Sequence, residues 1–359
     1  MRRLASLLVY LTCLAIPLCA PAQTAPPAPI VVKVVIVTTF ELGNDTGDKP
    51  GEFQFWVERE HLDRTLPFPG GVHPLRINDK GDVLGIVTGM TIGPAASSIM
   101  ALGTDPRFDL THAYWLLAGI AGVDPNVASV GSAAWAKWIV TDIRQEMDPR
   151  EAPSDWPYGI LAIGALRAAQ PPDPARTWGT EPRAYALNAA LADWAFNLTK
   201  DIALPDSAEI KARRMEYEGD AAHRPPFVLK GDNLSASTFW HGKLMNQWAR
   251  DWVKYMTAGQ GAYVICGMED TGTLQALTFL AHAHKVDLAR VLVLRTASYY
   301  DQQRIGIGAA ESLAETNIAQ YSAYLPALDS AYRVGHVVVD SLVDHWAEDR
   351  DRLPTISAK

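Results

Sequence analysis

The run Ile30 to Thr39, IVVKVVIVTT, constrains this chain more than any other stretch. It is β-branched and almost continuously apolar, without the polar alternation of a half-solvated strand, so it reads as a strand covered on both faces. DVLGIVTGM at 82–90 and AYWLLAGIAG at 113–122 share this character, and RVLVLRTAS at 290–298 is a fourth such run. Between them lie helical patterns over Gly93 to Leu102, Met268 to His284 and Ala309 to Ala323, and a long final helix from Asp329 to Ala347. Strands alternating with helices predict an α/β fold: a mostly parallel mixed sheet flanked by helices. Ligands of such sheets bind beyond the carboxyl ends of the strands. There this chain places Glu41, TGMTIGP, AGIAG, GMED and TASYYD.

The ends and the middle differ from this pattern. Arg2 and Arg3 precede an uncharged apolar run from Leu4 to Ile16, Pro17 breaks it, and Ala20-Pro21-Ala22 follows. This is the pattern of a secretory signal over residues 1–22, with a mature chain beginning near Gln23 and a Pro/Ala-rich spacer over 23–29. A lipoprotein reading through Cys19 is weaker, because Leu18 stands where a small residue is wanted. The expected location is periplasmic or secreted. Residues 30–352 read as a single domain, with an insertion over about 149–234 that is rich in Pro and Trp and helical near 183–200 and 206–216.

The chain carries 32 basic and 40 acidic residues. Loss of Arg2 and Arg3 with the signal leaves 30 against 40, a net charge of −10, which argues against a nucleic-acid partner held through phosphates. After the signal no stretch approaches the roughly 20 apolar residues of a membrane span. Cys13 and Cys19 lie in the signal, so Cys266 alone remains and no intrachain disulfide is expected.

Gly-x-Ser-x-Gly, a Walker loop and His-Glu-x-x-His are all missing, and His282 and His284 fall on different faces of a helix. The glycines of TGMTIGPAASS, Gly93 among them, either let backbone N–H groups approach an anion or make a tight turn. In YVICGMEDTGTLQAL, Glu269 and Asp270 stand where a strand hands over to a helix, a place that suits carboxylates through the helix dipole alone.

Taken in order, KVVIVTT, IVTGMTIGPAASSIMAL, YWLLAGIAGVDPNVASVGS, GDNLSASTFWHG, YVICGMEDTGTLQAL and VLVLRTASYYD resemble the purine nucleoside permease family. Its chains in turn are similar to the nucleoside phosphorylase and nucleosidase superfamily. The first resemblance covers the mature chain, and GMEDTGTLQAL with RTAS are its most specific parts. It implies a nucleoside phosphorylase-like fold and a purine nucleoside as ligand. Met268 and Glu269 match a Met-Glu pair that holds the ribose: a carboxylate accepts from vicinal hydroxyls, and its charge favours an oxocarbenium-like transition state.

The superfamily commonly has an aspartate directly after the serine matched by Ser298. This chain has Tyr299 there, so either the expected acid shifts to Asp301, with Ser298 orienting it, or the donor is absent. SASTFW resembles a segment whose aromatic packs on the purine, which makes Phe239 and Trp240 the stacking residues; a plain helix start is the rival. His241 adjoins them.

WLLAGIAG, with Gly119, lacks the arginine that phosphorylases place before this glycine. It resembles the nucleosidase version, in which water replaces phosphate and a glutamate after the first strand, here Glu41, activates it. The expected function is N-glycosidic cleavage of purine nucleosides, hydrolysis preferred to phosphorolysis. No metal or redox cofactor is called for, and phosphate stays open as a co-substrate, held by Arg295 or a neighbouring subunit. The alternative is an exported nucleoside-binding protein that hands its ligand to a membrane carrier without cleaving it. The resemblance also implies a homo-oligomer.

Overall fold

The computed structural model describes residues 27–179, 182–315 and 323–356. The signal over residues 1–22 and the start of the spacer lie outside them. Eight strands organise the molecule: Val34–Thr38 (β1), Val83–Val87 (β2), Tyr114–Val123 (β3), Ala133–Trp135 (β4), Trp138–Thr141 (β5), Asp232–Ser235 (β6), Tyr263–Gly267 (β7) and Val291–Tyr300 (β8). Five helices matter for the site: Gln54–Arg59 (α1), Ile92–Gly103 (α2), Lys243–Met256 (α3), Asp270–His282 (α4) and Tyr324–Asp344 (α5).

The continuously apolar runs are the centre of one mixed sheet, and every residue of β1, β2, β3 and β7 is buried. Alternate residues face opposite ways. Val35, Val37, Trp115, Leu117, Val291 and Val293 pack with Ile99 and Leu102 of α2 and Leu277 and Leu280 of α4. Val34, Ile36, Tyr114, Leu116, Leu292 and Leu294 pack on the other face with Trp56 of α1 and Val334, Val338 and Leu342 of α5. Burying such a side chain contributes about 1.5–3 kcal/mol, which is why these runs dispense with polar alternation.

β1 lies parallel between β2 and β3, and β8 runs parallel along the other side of β3. β5 and β6 are parallel, as are β6 and β7, whereas β7 meets β3 antiparallel and β8 meets β4 antiparallel. The arrangement has one consequence for function. β1 pairs with β3 only over residues 114–117, and β7 meets that same edge only at Gly122 and Val123. Among the described residues, Ala118 to Ala121 therefore has β8 on one side and no strand on the other.

The insertion differs from its expectation in detail. The stretch near 183–200 is helical only over Ala189–Thr199, because the Asn188 side chain accepts from the Ala190 and Leu191 N–H groups and fixes the start. Ala184–Ala186 before it pairs antiparallel with β5 at the sheet edge. The second helix spans Ala208–Arg214, capped by Ser207. Val228–Lys230 runs parallel to β4, so this region adds strands as well as helices. The helix expected from Ala309 covers Ala309–Ala314, and residues 316–322 lie outside the described residues. α5 begins before Asp329, with Pro326 in its first turn, where no helical N–H is lost. Among the described residues no helix is long and apolar enough to cross a membrane.

Candidate active site

A cavity of about 250 Å³ opens at the unpaired stretch of β3. Its polar wall is made by Glu52 and Glu269, with Thr39, Ile120 and Met268 beside them. A bare strand edge leaves N–H and C=O groups that must be satisfied. The Ile120 N–H donates to Glu52 Oε1 at 2.7 Å, and the Ile120 carbonyl accepts from Arg295 Nη1 at 3.2 Å. The gap in the sheet is thus bridged by an acid and a base.

Glu52 is 5% exposed, and its Oε2 accepts from both the N–H and the hydroxyl of Thr39, each at 2.7 Å. Burial raises its pKa most, the Arg295 charge opposes this, and the Glu269 charge adds to it; the result is about 7. A carboxyl balanced there exchanges a proton readily at neutral pH.

Arg295 comes from the middle of β8 and is fully enclosed. Its Nε lies 3.1 Å from Asp270 Oδ2, its Nη2 3.0 Å from Glu269 Oε2, and its Nη1 4.0 Å from Glu52 Oε1. Burial alone would lower its pKa, but the charges of Asp270 and Glu269 outweigh that, so the guanidinium stays protonated. Gly119 makes room for the group: a Cβ there would lie 2.5 Å from Arg295 Nη1 and 2.6 Å from Glu52 Oε1.

Glu269 precedes α4 at the end of β7, as the strand-to-helix pattern implies. Its Oε1 accepts from the Thr91 N–H at 3.2 Å, and its Oε2 from Arg295 and from the Met268 N–H. Oε1 keeps an acceptor site toward the cavity. Asp270 is not a solvated dipole residue: it is buried and bound by Arg295 and by the Asn233 side chain.

The other expected site residues divide. Met268, Glu269, Phe239 and Ser298 line the cavity, the Ser298 hydroxyl donating to the Ala121 carbonyl at 3.2 Å. Phe239 stacks on Tyr299 with ring centroids 5.5 Å apart. Trp240 does not line it. It is a core residue, packed edge-on against Trp248 and tilted against Tyr263. Gly93 is exposed in the first turn of α2, away from the lining, while Gly119 lies beneath the acids rather than against a ligand. His241 hydrogen-bonds Ser312, and burial lowers its pKa to about 4.

Two corrections follow for the acids. The Glu41 carboxylate is consumed by backbone: it accepts from the N–H groups of Leu42, Gly51, Phe53 and Gln54. It caps the start of α1 and so holds the loop that carries Glu52. Asp301 is buried outside the lining, with the Tyr263 hydroxyl 2.5 Å from Oδ2 and Asn246 Nδ2 3.0 Å from both oxygens. Burial first, and the Asp124 charge second, raise its pKa well above the carboxylate range.

Sequence reading passed over Glu52, because PGEFQFW carries no strand or helix signature that would mark it. Arg295 did leave a signal. A cation inside a run buried on both faces has to be paired with acids, and that alone predicts carboxylates at the neighbouring strand ends.

This architecture is that of the nucleoside phosphorylase-like fold. It matches the 5′-methylthioadenosine/S-adenosylhomocysteine nucleosidase of Helicobacter pylori, a mutant solved with 5′-methylthioadenosine in the active site, with a TM-score of 0.51 at 13% identity, covering 88% of this chain and 99% of that one. The purine nucleoside permease family model matches residues 31–352, and the chain belongs to that family. A probable purine nucleoside permease of Schizosaccharomyces pombe is 30% identical over 280 residues, 75% of this chain and 78% of that protein. A purine nucleoside permease of Candida albicans is 29% identical over 334 residues, 90% of this chain and 79% of that protein.

Proposed function

We propose that the cavity binds a purine nucleoside and that the protein hydrolyses its N-glycosidic bond. One observation carries this reading: two carboxyl groups, Glu52 and Glu269, converge on one cavity wall around a buried arginine, and one of them is held near pKa 7. Glu269 accepts from a ribose hydroxyl, Met268 floors the sugar, and Phe239 offers a ring for the base to stack on. Glu52 takes over the role expected of Glu41. It accepts a proton from water as the water oxygen bonds to C1′, while the C1′–N9 electron pair leaves with the base. The carboxylates offset the positive charge that develops on the sugar.

Water is favoured over phosphate because no lysine or arginine is among the described residues lining the cavity, and Arg295 behind its acids already serves Asp270, Glu269 and the Ile120 carbonyl. No step calls on a metal or redox cofactor. The test is incubation with inosine, adenosine and guanosine, with and without phosphate, followed by chromatography of free base. Free base in both buffers is the expected result; base only with phosphate would overturn hydrolysis. Glu269→Ala is expected to weaken KM by about ten- to a hundredfold, the worth of hydrogen bonds to a charged group.

The position of Asp301 outside the lining favours one second reading, capture of the nucleoside for a membrane carrier without cleavage. Tight binding by calorimetry with no free base would decide for it. Export belongs to either reading. N-terminal sequencing of the exported product should begin near Gln23, and an intact Met1 would count against it. Assembly into a homo-oligomer is part of the same proposal, read out by sedimentation.

A further inference from the structure

Cleavage needs a proton for the departing base, and the buried Asp301 cannot touch it. We infer that Tyr299 donates this proton and that Tyr263 and Asp301 position it; the inference rests on the glycosidic-cleavage reading above.

Three features aim Tyr299 at the task. The ladder between β3 and β8 pairs Ala297 with Ala121 and then Tyr299 with Gly122, so Ser298 is an extra residue, and this bulge turns Tyr299 toward the cavity. Gly122 accepts the phenol: a Cβ there would lie 2.8 Å from the Tyr299 hydroxyl oxygen. Phe239 stacks on the ring and holds its plane.

The position along β3 fits as well. Glu52 and Tyr299 both line the cavity, Glu52 against Gly119 and the Tyr299 hydroxyl against Gly122, three residues further along the strand. A ribosyl group held at the carboxylate end puts its base at the aromatic end. A file of polar groups then runs behind the phenol. The Cys266 thiol lies 4.0 Å from the Tyr299 hydroxyl and beside Tyr263, whose hydroxyl donates to Asp301 at 2.5 Å. Asp301 is fixed in turn by Asn246 of α3.

The chemistry balances. The C1′–N9 electron pair passes to the purine, the Tyr299 proton goes to a ring nitrogen of the base, and as the base leaves the phenolate regains a proton from solvent while Glu52 returns to solvent the one it took from the attacking water. Glu52 takes the proton of the attacking water, so the net change is water added across the glycosidic bond. Tyr299 is the group that touches the substrate. Tyr263 and Asp301 act through it.

The test compares two leaving groups on the full chain: inosine, whose base must be protonated, and p-nitrophenyl β-D-ribofuranoside, whose phenolate departs unprotonated. Tyr299→Phe is expected to lower kcat/KM for inosine by about 10²-fold, within the usual range for a general acid, and to leave the nitrophenyl riboside nearly unchanged. Asp301→Asn and Tyr263→Phe should show a smaller loss confined to inosine, an asymmetry that general damage to the fold would not give. Equal losses on both substrates, or none on inosine, would overturn the role of Tyr299. If the wild-type protein cleaves the nitrophenyl riboside but no purine nucleoside, the donor assignment fails while the sugar-side reading stands. If it cleaves neither, the cleavage reading itself falls, and the donor with it.

Discussion

Replacing Glu52 by glutamine is expected to lower purine nucleoside turnover by about 10²–10⁴-fold, the range for loss of a general base. Glutamine keeps the shape, offers one acceptor oxygen where the Thr39 and Ile120 N–H groups use two, and cannot accept a proton from water. In the wild type, kcat/KM should rise with pH through an inflection near 7, where the buried carboxyl ionises, and the variant should lose that inflection. Stability gives an independent check. The folded pKa of about 7 lies above the ordinary glutamate value of 4.5, so the fold favours the protonated form. That contribution is complete below the unfolded pKa and is lost as pH rises through 7. The shift corresponds to about 3 kcal/mol. Glu52→Gln should therefore gain in melting temperature relative to wild type between pH 5 and pH 8. A gap that stayed constant across this window would show that Glu52 is not held as a high-pKa acid.

The second large effect is expected at Arg295. Arg295→Met keeps an unbranched side chain but leaves Glu269, Asp270 and Glu52 buried around a missing charge. Removing one partner of a buried ionic cluster costs about 3–5 kcal/mol, because the stranded charges lose their compensation. The carboxyl groups answer by taking up protons, so the destabilisation should be larger at pH 8 than at pH 5. Adding Asp270→Asn to Arg295→Met should recover part of the loss, since the two changes act on one contact and are not additive. Urea melts of the single and double variants measure this. An unchanged midpoint in Arg295→Met would mean that the cluster does not hold the site together.

The two effects share a cause, which is that one edge of β3 is left without a partner strand over four residues. Glu52 and Arg295 satisfy its backbone and are thereby held in fixed positions beside a cavity. A site built in this way is rigid on its acidic wall. Its aromatic wall is less constrained, because Phe239 is 38% exposed and comes from an irregular segment after β6.

Much of this was legible in the chain. The runs at 30–39, 82–90, 113–122 and 290–298 are strands because residues buried on both faces leave an uninterrupted apolar signal, and that signal is local. Glu269 was legible for the same reason: its place follows directly from the end of one strand and the start of one helix. The helix boundary at Ala189 could have been read from Asn188, a favoured cap.

Local sequence is enough to set the apolar strands at the centre of the sheet, most of their helices, and the presence of acids and aromatics at the strand ends. Which of them meet was decided only in three dimensions. Glu41 and Glu52 lie in one loop, and nothing local distinguishes them; the choice came from the bare Ile120 N–H, which exists because β1 and β7 part company along β3. Tyr299 and Asp301 likewise stand two residues apart. One extra residue in the ladder at Ser298 brings the tyrosine to the cavity, and the aspartate is buried behind it under Tyr263 and Asn246. Register and strand divergence are properties of pairs of distant segments, so no window of sequence contains them.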